Sequence, residues 1–151
     1  MYKKILFGTC LMEYCDHIFN FALNLAIENN AKLWIYNGLG PLDLNEEEII
    51  EKIKDGETLA AEAYTERMKN RGFSDYMINV VDGDQVDKMS NLAKNADIDA
   101  IIIGTSTKTP LEAGEGPAAS SLGLTATEII LKAPCPVIVV PPSLLPGLAT
   151  G

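Results

Sequence analysis

Five short runs of mostly apolar residues, separated by helix-length segments, constrain this chain more than any other feature. Three of them read KILFGT (4–9), DAIIIG (99–104) and VIVV (137–140). They are too short for helices and show almost no polar–apolar alternation. That is the pattern of strands covered on both faces, as in a parallel sheet between two helical layers. AKLWIYN (31–37) and SDYMINVV (74–81) supply two more strands.

The intervening segments carry helical spacing. From Asp16 to Asn29, Ile18, Phe21, Ala22, Leu25 and Ala26 recur on one side. Asp16 is the expected N-cap, Leu11 to Cys15 a loop, and Asn29-Asn30 the stop. Asn45, with Glu48 three residues on, resembles a capping box. The helix after it runs to about Lys69 through Ile49, Ile53, Ala60, Tyr64 and Met68. Its acidic start (Glu46, Glu47, Glu48) suits the helix dipole. Gly56 marks a place for a bend, and Gly72 is the expected C′ residue. Asp84, with Asp87 beyond it, starts a third helix through Met89, Leu92, Ala93 and Ala96. A last helix is expected over Leu122–Leu131, with Leu122, Ala126, Ile129 and Ile130 on one side. Ala133-Pro134-Cys135-Pro136 then forces extended backbone.

Strands alternating with helices from end to end give an α/β, doubly wound, mostly parallel five-stranded sheet with right-handed crossovers. One domain is expected over residues 1–141, followed by a Pro- and Gly-rich irregular tail at 142–151 whose Leu144, Leu145 and Leu148 either pack on a partner or stay unstructured. The formal charge of −9, from 21 acidic against 12 basic residues, argues against nucleic acid and against acidic membrane surfaces as partners. No run is long enough to span a bilayer, and residues 1–4 lead into no signal-peptide core, so a cytoplasmic location is expected. Three cysteines fit reduced thiols.

The segment from Asp99 to Thr127 carries the functional reading. An apolar strand stops at Gly104, a loop rich in Gly, Ser and Thr follows, and Gly123 leads into a helix. Strand, glycine-bearing loop and helix present backbone N–H groups to an anion. The loop has no GKS or GKT and is not a Walker P-loop.

Four segments together resemble the universal stress protein family over nearly the whole chain. KKILFGTCLMEYCDHIFNFALNLA is similar to that family's first strand, loop and helix, and VVDGD (80–84) to its third strand and turn. DAIIIGTS (99–106) is similar to its fourth strand and loop, and LGLTATEIILKAPCPVIVVP (122–141) to its last helix and fifth strand. The resemblance implies strand order 3-2-1-4-5, akin to adenine nucleotide alpha hydrolase-like and flavodoxin-like folds. It also implies a homodimer through Val137–Val140 and a stress-response module that regulates rather than catalyses.

Some members of that family bind ATP and others do not. In a parallel sheet with this order, a ligand sits between the first and fourth strands at their C-terminal ends. There Thr9, Cys10 and Leu11 would face Gly104, Thr105 and Ser106, with Asn37 and Gly38 on the adenine side. The ATP-binding members carry Gly, two residues, Gly, nine residues, then Gly and Ser or Thr. Gly104 matches the first glycine. Thr107 stands where the second would be, fifteen residues (108–122) separate it from Gly123, and Leu124 replaces the hydroxyl residue, with Thr125 one place later. Cys10 stands where the family has an Asp. Glu112 and Glu115 put negative charge in the loop, with Lys108 against it. Candidate ligand-binding residues are therefore Thr9, Cys10, Asn37, Gly104, Thr105, Thr107, Gly123, Leu124 and Thr125.

Three readings stand: a module binding ATP or AMP, a dimeric scaffold for another protein with a degenerate site, and a slow ATP hydrolase. The last finds no base or metal carboxylate near the loop. No catalytic residue and no metal site is expected. Cys10 and Cys15, with one His in the chain, make a poor zinc set. Cys10 reads as a small buried hydrophobe or a ligand-contacting thiol, and Cys135 as structural. His17 reads as a capping or solvent-facing residue, Asp82 and Asp84 as turn and cap residues. The Thr105–Thr109 cluster binds phosphate or sugar, or is a polar loop.

Overall fold

The computed structural model describes residues 2–9, 11, 13–105 and 124–141. Five strands, β1 (Lys4–Gly8), β2 (Lys32–Gly38), β3 (Tyr76–Val81), β4 (Ala100–Gly104) and β5 (Val137–Val140), form one sheet in the order β3-β2-β1-β4-β5. All pairings are parallel. Ile5 lies between Leu33 of β2 and Ala100 of β4, and Gly104 ends opposite Val140. The described helices are α1 (Glu13–Asn29), α2 (Glu46–Asn70), α3 (Gln85–Asn95) and α4 (Leu124–Lys132).

The period of two along each strand sorts the core into two halves. Ile5, Phe7, Leu33, Ile35 and Ile102 pack under α1 and α2. Leu6, Trp34, Tyr36, Ile101 and Ile103 pack under α3 and α4. The fold is thus doubly wound, with helices on both faces, as expected.

Local signals set most element ends. Asn45 Oδ1 accepts the Glu48 N–H at 2.9 Å, and Asp84 Oδ1 accepts the Asp87 N–H at 2.9 Å. At the end of α2, Gly72 takes φ +68° while its N–H and that of Phe73 bond the Lys69 and Met68 carbonyls. This is a Schellman closure. Asn30 does the same after α1 at φ 53°.

Four expectations need correction. Helix α1 starts at Glu13, so Asp16 is an internal residue rather than its N-cap. Its carboxylate pairs with Arg67 at 3.0 Å, tying α1 to α2. The inward face of α1 is Tyr14, Ile18, Phe19, Ala22, Leu23 and Ala26, whereas Phe21 is exposed. Gly56 does not interrupt α2, which is continuous from Glu46 to Asn70. A Cβ there would lie 2.7 Å from Val80 Cγ1, so its absence lets α2 lie close on β3. Ile130, expected inside, is exposed beside the still more exposed Leu131, while Ala126 and Ile129 are buried. Leu122 and the 142–151 tail lie outside the described residues.

Candidate functional site

The reversal of strand order falls between β1 and β4, which start their separate crossovers to opposite faces of the sheet. Their C-terminal ends are neighbours, because Phe7 pairs with Ile102. Above them, and above the end of β2, lies a cavity of about 250 Å³. Gly8, Thr9, Asn37, Gly38 and Gly104 form its strand-end floor, and Gln85 and Met89 of α3 form one wall. Thr125, Ala126 and Ile129 of α4 form the other. The first-turn N–H groups of α4 have no i−4 carbonyl within the helix. No charged side chain lines the cavity among the described residues.

Of the candidate residues, Thr9, Asn37, Gly104 and Thr125 line this cavity. Cys10, Ser106, Thr107 and Gly123 lie outside the described residues, as do Glu112, Glu115 and Lys108. Leu124 opens α4. Thr105 follows β4, but its polar atoms are engaged elsewhere. Its N–H donates to Tyr14 Oη at 3.0 Å, and its hydroxyl lies 3.1 Å from the same oxygen. Tyr14 Oη in turn donates to the Val140 carbonyl at 2.9 Å. One buried phenol therefore joins α1 to the ends of β4 and β5. Sequence reading passed over Tyr14 because its partners are 91 and 126 residues away.

Strand parity decides where the polar side chains go. Thr9 and Asn37 continue the Phe7 and Ile35 rows, on the α1–α2 face. The Thr9 hydroxyl is 2.6 Å from Tyr64 Oη of α2 and accepts the Leu11 N–H at 2.9 Å. Thr9 and Gly104 both line the cavity. Leu11 itself adopts φ 63°. A leucine in the left-handed region is strained by ~1–2 kcal/mol, and the Thr9 bond helps to hold it there.

On the opposite face Tyr36 leans toward α3, its hydroxyl 3.5 Å from the Gln85 carbonyl, while Gln85 Nε2 donates to the Gly38 carbonyl at 3.1 Å. Burial, reinforced by the negative charge of Asp84, pushes the Tyr36 phenol up to about 12 from its usual 10. The unfolded chain then loses this proton first as the pH rises. Tyr36 should therefore contribute stability that is intact below pH 10 and lost as the pH climbs toward 12. Urea unfolding across that range should show a steeper alkaline decline for the wild type than for Tyr36→Phe. Equal slopes would sink this reading.

Among the described residues, no group of three or more His, Cys, Asp or Glu side chains is placed to hold a metal ion. Cys15 is buried at the rim of the cavity. Burial, the charge of Asp99 and a weaker opposing hydrogen bond from the Ile101 backbone leave the Cys135 thiol above its usual range. No helix among the described residues is long and apolar enough to cross a membrane.

Comparison with known proteins follows the same outline. The fold is similar to the universal stress protein UspA from Lactobacillus plantarum, at TM-score 0.71 and 21% identity, covering 92% of this chain and 97% of that one. It is similar to a universal stress protein in complex with cAMP, at TM-score 0.67 and 21% identity, covering 92% and 97%. It is also similar to the universal stress protein from Archaeoglobus fulgidus in complex with dAMP, at TM-score 0.63 and 20% identity, covering 91% and 97%. No curated protein matches the chain by sequence. The universal stress protein family model matches residues 1–141. A match of that extent, on a sheet of this order with a cavity at its switch point, means that the chain belongs to the universal stress protein family.

Proposed function

We propose that this protein is a regulatory module that binds an adenine nucleotide, AMP or ATP, at the C-terminal ends of β1, β2 and β4, and that it does so without catalysing a fast reaction. The observation that carries the reading is the cavity over the β1–β4 switch point, floored by strand-end backbone and faced by the first turn of α4. That is where an open parallel sheet accommodates a ligand. Two relatives of the same fold are complexes with cAMP and dAMP, which supports an adenine mononucleotide in particular. Among the described residues the cavity lining carries no charge, which favours a ligand with one phosphate over one with three.

The test is calorimetry and thermal shift on the purified protein with AMP, cAMP, dAMP and ATP. At a ligand concentration a hundredfold above Kd, binding to the native state alone adds ~2.7 kcal/mol of stability, enough for a clear rise in Tm. AMP or a cyclic or deoxy relative should give that rise. No heat and no shift with any of the four would overturn the proposal.

A second reading is a dimeric scaffold for another protein, with an idle site. It is favoured by one observation: Thr105, the first hydroxyl after β4, spends both its N–H and its hydroxyl on Tyr14. Both readings include a homodimer through β5, which among the described residues is an edge strand with no partner on its outer side. A monomer in light scattering at micromolar concentration would count against that assembly. Nucleotide that co-purifies with the native protein would remove the idle-site reading.

A further inference from the structure

The sheet has two outer strands, and β3 is the one opposite β5. The Asp75 and Val81 carbonyls accept the Leu33 and Leu39 N–H groups beside them, at 3.0 and 2.8 Å. Backbone direction alternates along a strand, so Asp75, Met77, Asn79 and Val81 address β2. The N–H and C=O groups of Ile78 and Val80 therefore point away from the sheet, and no described residue bonds them. Edge strands are normally blunted by Lys, Pro, a bulge or an inward charge. β3 reads YMINVV, and its register with β2 runs unbroken from Tyr76 to Val81, so it has none of these.

Both faces beside this edge offer room for side chains. On the α3 face Met77 is 43% exposed. On the α2 face an open groove of about 690 Å³ runs from Thr65 and Lys69 of α2 to Phe73 and Tyr76. An added strand would set alternate side chains on Met77 and in that groove, which is how edge recognition acquires specificity.

Charge says what kind of strand fits. Asp75 stands just before β3 and is exposed. Past its other end, Asp82, Asp84 and Asp87 outnumber Lys88. A second copy paired antiparallel about the strand centre would set Asp75 of one chain beside Asp82 of the other, at both ends. Like charges so placed disfavour that pairing. A segment ended by Lys or Arg gains where a second copy loses, and the net charge of −9 steers it in.

We propose that the outer edge of β3 binds an extended segment of another protein as an added strand, one with alternate apolar side chains and a Lys or Arg at each end. This goes beyond the nucleotide reading, and a dimer made through β5 leaves the edge open.

The test is calorimetry on the full chain with the capped peptide KVTVTVK and its charge-reversed counterpart EVTVTVE, each up to ~1 mM. The wild type should bind the lysine peptide about tenfold more tightly than the glutamate peptide. In the double variant Asp75→Lys, Asp82→Lys that preference should reverse. Ile78→Pro should abolish binding, because the N–H it removes points outward, where an edge strand tolerates proline. Four results each overturn the inference and leave nucleotide binding unaffected: no binding of the lysine peptide by the wild type, equal affinity for both peptides, a preference unchanged in the double variant, or binding undiminished in Ile78→Pro. Should Ile78→Pro not fold, hydrogen exchange in the wild type decides. The Ile78 and Val80 amides should then slow by about tenfold or more on adding the lysine peptide, and unchanged exchange overturns the inference.

Discussion

Phe19→Ala is expected to destabilise the protein by ~3–5 kcal/mol, the usual cost of removing a fully buried aromatic ring. Phe19 has no exposed surface. Its ring stacks on Tyr64 with centroids 4.3 Å apart and meets Phe7 at 5.8 Å, while Phe7 and Tyr64 meet edge to face at 5.7 Å. The Arg67 guanidinium carbon lies 4.8 Å from the Phe19 centroid. The site has little freedom to collapse onto the space an alanine would leave. Phe7 belongs to the central strand, paired on both sides, and Tyr64 is held by its contact with the Thr9 hydroxyl. At ~2–4 °C per kcal/mol for a chain of this size, Tm should fall by roughly 6–20 °C. In urea the midpoint should move with little change in slope. A loss under ~1 kcal/mol would mean that this triad is not packed as described. The triad also underlies the mouth of the site, because Tyr64 is what orients Thr9.

Gly104→Ala should cost ~1–3 kcal/mol by overpacking. The added Cβ would sit 2.7 Å from Ile18 Cδ1 and 2.9 Å from both Cζ and Oη of Tyr14. Ile18 can move its terminal methyl. Tyr14 has less freedom, since its hydroxyl is engaged by the Thr105 N–H, the Thr105 hydroxyl and the Val140 carbonyl. Gly104 matches the first glycine of the nucleotide-binding pattern, and the packing shows a separate demand for a small residue there. The two are separable by experiment. If packing dominates, Gly104→Ala lowers Tm without ligand, and the loss shrinks in a Tyr14→Ala background, where the clash with the ring is gone. If ligand approach dominates, the melt without ligand is unchanged and nucleotide affinity alone falls. An unchanged melt would therefore remove the packing account.

Much of this arrangement is legible in the residues themselves because it depends on neighbours in the chain. Asn45 and Asp84 cap the helices they precede because their side chains reach an N–H three residues on. Gly72 and Asn30 close α2 and α1 because glycine and asparagine tolerate positive φ. Val137 to Val140 is a strand in both readings because four β-branched residues between prolines have little else to do. The start and rotational setting of α1 were misread for the complementary reason. Phe19 and Phe21 are both apolar on an apolar helix, and periodicity alone does not say which faces the sheet.

What the amino-acid order determined unaided is the succession of elements, most of their caps and, through the family resemblance, the order of strands in the sheet. All of these arise from short-range stereochemistry or from patterns repeated along the chain. Only the tertiary structure decided that Thr9 turns to Tyr64, that Thr105 is held by Tyr14, that Gly56 and Gly104 are small because Val80 and Tyr14 approach them, and that Asn37 stands buried over a groove beside α2. Those facts join residues far apart in sequence. They depend on which helix covers which face of the sheet and at what rotation, and that is set by packing of the whole core rather than by any local run of residues.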